Sequence, residues 1–262
     1  MTPDGVDSHR RIQANLKGVR ALVTGAGSGI GLATATLFAR CGGDVGCNHL
    51  PGDSAARAAI DRLQGLGGRI VPLPGDISSG EAAEAMIAEG VDDLGGIDVL
   101  VNNAGASGVR EPIPFADLDA ISEDLWATTL GTNLIGAFNC CKAASRALRQ
   151  AQGAIVNVAS TAGLGGDASS LAYGASKAGL INLTRNLAKG LGPEVRVNAV
   201  APGLTRTPWT ENWPEERKTR SIGNTMLRRM VEAEDVAETI LFLACQPAIT
   251  GQTLQVDCGR MF

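Results

Sequence analysis

The 262-residue sequence predicts an α/β fold, a single domain built on a doubly wound parallel sheet of about seven strands flanked by helices. Three observations carry that reading. Short apolar, β-branched runs alternate with longer segments of helical period, the order expected of β–α–β units. The strand candidates are nearly continuous in apolar residues, as in Ala154-Ile155-Val156-Asn157-Val158, which suits strands covered on both faces. Glycine is abundant (34 residues) and aromatics are scarce (3%), a balance that favours tight strand–helix packing over an aromatic-lined sandwich or a base-stacking platform.

In chain order the strands fall at 19–24, 44–48, 69–73, 99–102, 154–158, 195–200 and 253–256. Helical segments lie between them at 30–40, 53–66, 81–94, 123–148, 172–189 and 234–245. In the first helix Ile30, Ala33, Leu37 and Phe38 recur at helical spacing and face the sheet. Gly42-Gly43, Gly67-Gly68 and Gly95-Gly96 each close a helix ahead of the next strand, as a left-handed C-terminal cap does. The one long irregular stretch starts at Pro202, is rich in Pro, Thr, Trp and charge, and reads as a substrate lid over about 203–226. With no repeat and no composition break, residues 18–262 form one domain behind a polar N-terminal extension, 1–17.

Composition excludes several functions. A net charge of −4 supplies no basic field for nucleic acid or anionic lipid, and no apolar stretch is long enough to span a bilayer. Six cysteines without CxxC spacing and only two histidines make no metal site, so the cysteines are expected to be reduced core residues; the adjacent Cys140 and Cys141 are read as packing. The polar start of the chain carries no signal-peptide pattern, which points to the cytoplasm.

The chemistry gathers in a few motifs. Gly25-x3-Gly29-x-Gly31 follows the first strand and opens the first helix, where glycines let backbone approach a pyrophosphate at a helix N-terminus. It is not a strict GxGxxG, because Ile30 stands at the last glycine position. The segment from Thr24 to Gly31 resembles the TGxxxGIG loop of the short-chain dehydrogenase/reductase family. Asn102-Asn103-Ala104-Gly105 resembles its NNAG motif, and Gly75-Asp76-Ile77 its adenine-contacting acidic turn. Tyr173-Gly174-Ala175-Ser176-Lys177 resembles the catalytic YxxxK, with Ser160 upstream at the family's spacing and Asn133 at the fourth catalytic position. Asn198 to Gly203 and Ile249 to Gln252 match further segments, so the resemblance runs from about Gly18 to Gly259. It extends to the 3-oxoacyl-[acyl-carrier-protein] reductase-like branch. It implies a Rossmann-like fold and a hydride transfer between nicotinamide and a ketone or secondary alcohol.

Tyr173 and Lys177, four apart on a helix, share a face. An unperturbed phenol titrates near ~10. A neighbouring ammonium and the positive ring of oxidised nicotinamide are expected to lower that value, so that Tyr173 can serve as general acid or base. Ser160 would hydrogen-bond the substrate oxygen as charge develops on it. The resemblance gives Asn133 a water that links Lys177 to a proton relay. Taken singly, these residues read as a packing tyrosine, a surface lysine, a turn serine and a solvent-facing asparagine; it is their common register that favours catalysis. Neither His9 nor His49 stands where it could complete a serine-hydrolase triad.

The cofactor contacts implied are Gly25, Ser28, Gly29, Ile30, Gly31, Asn48, His49, Asp76, Ile77, Asn103, Ala104, Gly105, Tyr173, Lys177, Pro202, Gly203, Thr205 and Thr207. The second strand ends Asn48-His49-Leu50 with no carboxylate to bind a ribose 2′-hydroxyl, yet the family's usual basic NADP markers are also missing. Asn48 and His49 could donate to either group, with Arg57 a more distant candidate. Both cofactors stay open, and the missing carboxylate tips the reading to NADP(H). Trp209, Trp213 and Met226 are candidate substrate walls, and Arg146, Arg149 and Arg217–Arg220 scattered candidates for docking an acyl-carrier protein. The substrate expected is a small carbonyl or alcohol, or a thioester. The resemblance further implies a homotetramer through the helices at 123–148 and 172–189 and the last strand. The rival readings are a 3-oxoacyl-[acyl-carrier-protein] reductase specifically, a non-catalytic cofactor-sensing regulator, and an epimerase or dehydratase on the same scaffold.

Overall fold

The computed structural model describes residue 12 and residues 14–260; His9 and most of the N-terminal extension lie outside them. Seven parallel strands form one sheet: β1 (Arg20–Val23), β2 (Asp44–His49), β3 (Ile70–Pro74), β4 (Val99–Asn102), β5 (Ala154–Val158), β6 (Arg196–Pro202) and, last in the chain, β9 (Thr253–Val256). Their order is β3-β2-β1-β4-β5-β6-β9. The winding reverses between β1 and β4, and at such a switch point the loops diverge and leave a crevice.

Successive residues of each strand feed opposite layers. Ala21 and Val23 join Val45, Cys47, Val156 and Val158 beneath α1 (Gly29–Arg40), α2 (Ser54–Asp61) and α9 (Ala233–Cys245). Leu22, Leu100, Ile155 and Val197 pack the other way, on α3 (Gly80–Leu94) and α5 (Ala137–Ala151). Cys140 and Cys141 are both buried in this second layer, and burial pushes their thiols, like that of Cys47, up to about 12. Leu16, at the end of the polar extension, is buried, and its backbone N–H donates to Cys41 O at 2.8 Å.

Three expected elements differ. The helix expected at 53–66 is only α2, started by the Asp53 carboxylate accepting from Ala56 N at 2.9 Å; beyond it Gly65 (φ +83°), not Gly67 or Gly68, takes the left-handed turn. Gly42 and Gly95 do adopt that conformation. The helix expected at 123–148 is three pieces: α4 (Glu123–Leu130), a π-helical turn over Gly131–Gly136, and α5. The wider turn draws Asn133 inward until it is buried. The stretch after Pro202 is not structureless. It holds β7 (Thr205–Arg206), α7 (Pro208–Glu211) and α8 (Glu215–Gly223), and β7 pairs with β8 (Val231–Glu232). The remaining helix, α6 (Leu171–Leu191), follows β5.

A buried polar chain ties the sheet centre to α6. Asn102 Nδ2 donates to Asn157 Oδ1 at 2.9 Å, Asn157 Nδ2 donates to Thr184 Oγ1 at 2.9 Å, and Thr184 Oγ1 donates to Leu180 O at 2.8 Å. Removing the middle member breaks two bonds, after which Thr184 keeps only Leu180 O and Asn102 Nδ2 only the weak acceptor Cys141 Sγ at 3.1 Å. Asn157→Val is therefore expected to lower the unfolding free energy by about 1–2 kcal/mol, read from the urea midpoint at unchanged slope. An unshifted midpoint would show that this chain of amides does not brace the sheet.

Candidate active site

The glycine loop is held by side-chain amides. Gly25 has φ +63°, and a Cβ there would come 2.9 Å from Ala104 Cα, so only glycine lets the loop lie against the segment after β4. Asn103 Nδ2 donates to Thr24 O (2.9 Å) and Gly25 O (3.1 Å), while Thr24 Oγ1 accepts from the N–H groups of Asn103 and Ala104, both at 3.0 Å. Ser28 starts α1 with no side-chain cap and no acid in the first turn, whereas α2, α3, α4 and α6 are capped by Asp53, Ser79, Ser122 and Ser170. The first-turn N–H groups of Gly29, Ile30 and Gly31 thus lack a protein cap at a positive helix end, which fits the pyrophosphate of a dinucleotide. Gly31 sits behind the loop, against Gly25 O and Asn103, rather than on the cleft surface.

A cleft of about 2110 Å³ runs from this loop along the carboxyl ends of the strands. Gly25, Ser28, Gly29, Ile30, Asn48, His49, Asp76, Ile77, Asn103, Ala104, Gly105, Pro202, Gly203, Thr205 and Thr207 all line it, together with Ser160, Tyr173 and Lys177. Thr207 lies directly over the loop, its Cγ2 3.1 Å from where a Cβ on Gly29 would be. Asp76 accepts from Ser78 N (2.9 Å) and Ser78 Oγ (2.8 Å).

The end of β2 departs from expectation. Asn48 Oδ1 accepts from Gly25 N at 3.2 Å, and its Nδ2 donates to Leu73 O (3.1 Å) and Gly75 O (2.9 Å). Both ends of this amide are engaged in holding the glycine loop to β3. The His49 ring is buried, with Nδ1 2.9 Å from Leu50 O and Nε2 without a partner. Arg57 pairs with Asp61 and is not part of the cleft; Arg40 and Arg62 line it only at the C-terminal ends of α1 and α2, away from the glycine loop.

At the other end, Ser160 follows β5 and its Oγ accepts from Ala162 N at 3.1 Å, starting a 3₁₀ turn. Ser170 caps α6 by accepting from Tyr173 N at 3.1 Å, which fixes where the tyrosine stands. The Tyr173 hydroxyl is near enough to Ser160 for the serine to act on its titration, and Trp209 of α7 meets the ring edge-on at 6.0 Å. Lys177 is buried, its Nζ donating to Val158 O at 2.8 Å and lying 5.7 Å from the centre of the Tyr173 ring.

The electrostatics correct one expectation. Loss of water drives the Tyr173 phenol up to about 12, with Ser160 acting in the opposite sense, and burial brings the Lys177 ammonium down to about 8. In the protein alone, desolvation of the phenolate outweighs any help from the lysine. Asn133 also differs in place. Its Oδ1 accepts from Ala106 N (2.7 Å), its Nδ2 donates to Ala106 O and Ser176 Oγ (3.0 Å each), and it does not line the cleft. The side chain braces the wall behind Gly105 and Lys177. Met226, expected as a substrate wall, is 69% exposed and packs over Gly259 outside the cleft, whereas Trp209 and Trp213 do line it. Sequence reasoning missed Thr24, Ser170 and Ser176; the last lies inside the Tyr173–Lys177 motif and could have been suspected from its place.

Comparison with known proteins agrees with this geometry. The family model described as Enoyl-(Acyl carrier protein) reductase matches residues 25–260. The 3-oxoacyl-[acyl-carrier-protein] reductase FabG of Thermotoga maritima is 38% identical over 253 residues, covering 93% of this chain and 98% of the relative. The (2S)-[(R)-hydroxy(phenyl)methyl]succinyl-CoA dehydrogenase subunit BbsD of Thauera aromatica is 37% identical over 244 residues, covering 92% and 95%. A solved 7α-hydroxysteroid dehydrogenase, complexed with NADH and 7-oxo glycochenodeoxycholic acid, superposes with a TM-score of 0.84 at 31% identity, covering 94% and 96%. Such likeness over nearly the whole length of each partner, on a fold and cleft of this form, means that the chain belongs to the short-chain dehydrogenase/reductase family of oxidoreductases acting on alcohols and ketones.

Proposed function

We propose that the protein transfers a hydride between a nicotinamide cofactor and a ketone or secondary alcohol, with Tyr173 as general acid and base. The observation that carries this is Tyr173 and Ser160 lining one cleft with a buried Lys177 and the uncapped start of α1. Bound nicotinamide supplies or accepts the hydride. In reduction, Tyr173 gives its proton to the substrate oxygen while the Ser160 hydroxyl donates to the same oxygen and stabilises the developing charge. A phenol held at about 12 keeps its proton across neutral pH, which suits it to the acid role. Lys177, tethered to Val158 O, keeps a positive charge near the phenol once the oxygen becomes anionic.

NADP(H) is the proposed cofactor. β2 ends without a carboxylate to meet a ribose 2′-hydroxyl, and Asp53, the first acid after it, is engaged in capping α2. Among substrates, a 3-oxoacyl thioester is supported by the Thermotoga relative's name. A non-catalytic sensor would have no use for a buried Lys177, whose charge is costly to hold. No helix among the described residues is long and apolar enough to cross a membrane, and we place the protein in the cytoplasm. A homotetramer is supported by exposed Ile135 and Phe138 at the π turn and the start of α5, and by Leu254 on the edge strand β9.

Tyr173→Phe is expected to reduce kcat by about 10²–10⁴-fold while the Kd for NADPH, read by nicotinamide fluorescence, stays nearly unchanged. An unimpaired rate would sink the assignment. With no carboxylate at the end of β2 to repel a 2′-phosphate, NADPH should bind more tightly than NADH in the same titration; equal affinities would remove the preference. The Lys177 value sets a stability test. Its folded pKa of about 8 lies below the ordinary 10.5, so its contribution is fully present above 10.5 and lost as pH falls through 8. Unfolding free energies in urea should therefore move in favour of the wild type over Lys177→Met between pH 8 and 10, with a flat difference as the contrary result.

A further inference from the structure

At the substrate end, beyond Tyr173, the cleft is walled by cations. Arg217 and Arg220 come from α8, Arg260 follows β9, and Asp167 comes from the loop ahead of α6; all four line the cleft. Asp167 pairs with Arg260 and its field reaches Arg217, while the other acids lining the cleft nearby in the chain, Glu232, Glu234 and Glu238, come from β8 and α9. Arg260 Nη2 donates to Asp167 Oδ2 at 2.7 Å, yet Arg260 Nε is buried without a partner and the side chain is only 11% exposed. Arg217 lies over Trp213, 4.4 Å from guanidinium carbon to ring centre, and makes a long hydrogen bond, Nη2 to Ala168 O at 3.4 Å. Arg220 forms no ion pair among the described residues. Burial holds the Arg217 guanidinium below its ordinary range, with Asp167 opposing and Arg220 and Arg260 adding to the shift. Partly buried Arg217 and Arg260 beside a third cation are costly to keep charged unless an anion joins them.

The cofactor does not account for this cluster. The uncapped α1 start stands at the glycine-loop end of the cleft, while Ala168 lies in the loop leading to Tyr173 and Trp209 of α7 meets that tyrosine edge-on. Resting on the dehydrogenase reading above, we propose that Arg217, Arg220 and Arg260 are the receptor for a fixed anion on the substrate, a carboxylate or a phosphate borne by the same molecule as the reacting ketone or alcohol. Guanidinium forks pair with either group in bidentate fashion, and stacking on Trp213 sets the plane of one fork in advance. The tethered anion would place the reacting oxygen against Ser160 and Tyr173 through binding made away from the reaction centre.

The test uses three ketones that differ in charge: 4-oxopentanoate, its methyl ester, and 4-oxopentyl phosphate. Each is titrated into the NADPH-saturated protein, and binding is read from tryptophan fluorescence, which the Arg217–Trp213 contact should make sensitive to an anion. One or both anions should bind at least about tenfold more tightly than the ester, the worth of one charge-assisted hydrogen bond. The preference should fall towards unity in Arg260→Met and in Arg220→Ala, and because Arg220 is exposed its variant keeps the fold. Phosphate-only or carboxylate-only binding identifies the anion. Equal affinity for all three, or a preference that survives both substitutions, overturns the receptor. Turnover of NADPH is followed in parallel. A bound anion that is never reduced counts against the dehydrogenase reading and leaves the receptor standing; reduction of the ester as efficiently as of the anions does the reverse.

Discussion

A parallel sheet ends all its strands at one edge, and there the backbone runs out of partners. Nearly everything in this protein's cleft follows from how that deficit is met. Asparagine side chains, which donate and accept at once, close the gaps: Asn48 between the glycine loop and β3, Asn103 between β4 and Gly25, Asn157 between β4 and α6. Asn198 does the same at the far side, donating to Ile249 O at 2.8 Å and accepting from Gln252 N at 3.1 Å. The amides leave few buried groups unpaired, and they also set the spacing between the loop that fits a phosphate and the wall that carries Ser160 and Tyr173. One device serves stability and geometry together.

Burial works against that order at the centre of the cleft. Lys177 is carried into the interior on α6 and meets a backbone carbonyl rather than a carboxylate, so its charge is only partly compensated. Neutralising it with an acid would give a more stable ion pair, but the ammonium would then be less available to a nearby anionic oxygen. The tyrosine is displaced in the opposite direction by the same loss of water. The two groups therefore sit with their ordinary titration ranges drawn in opposite directions, a condition that a bound cationic ring or an oxyanion would change.

Much of this was legible in the sequence. All seven strands of the sheet were located, the central ones most plainly, because a strand covered on both faces, such as β5, has little choice of composition. The Tyr173–Lys177 spacing and Ser160 likewise told where the cleft's centre lies. Other features depended on distant contacts and were hidden. The π turn exists because Asn133 closes on Ala106 and Ser176, partners remote in the chain, so a uniform helix was the natural expectation. Asn48 looked like a ligand because its other partners, at Leu73 and Gly75, cannot be seen from β2 alone. The direction of the Tyr173 shift was missed for a similar reason: desolvation is a property of the packed whole. Arg260 gave no sign beside Asp167 until the chain's end was folded against the loop ahead of α6.

Tyr173 is the only tyrosine in the chain. Three tryptophans and five phenylalanines lie elsewhere, yet the one phenol lines the cleft beside Ser160 and is edged by Trp209. A label confined to tyrosine, whether isotopic or fluorinated, would consequently produce a single resonance with no background to subtract. Its position along a titration would report the proton on that oxygen directly, in the intact protein and without a substituted residue.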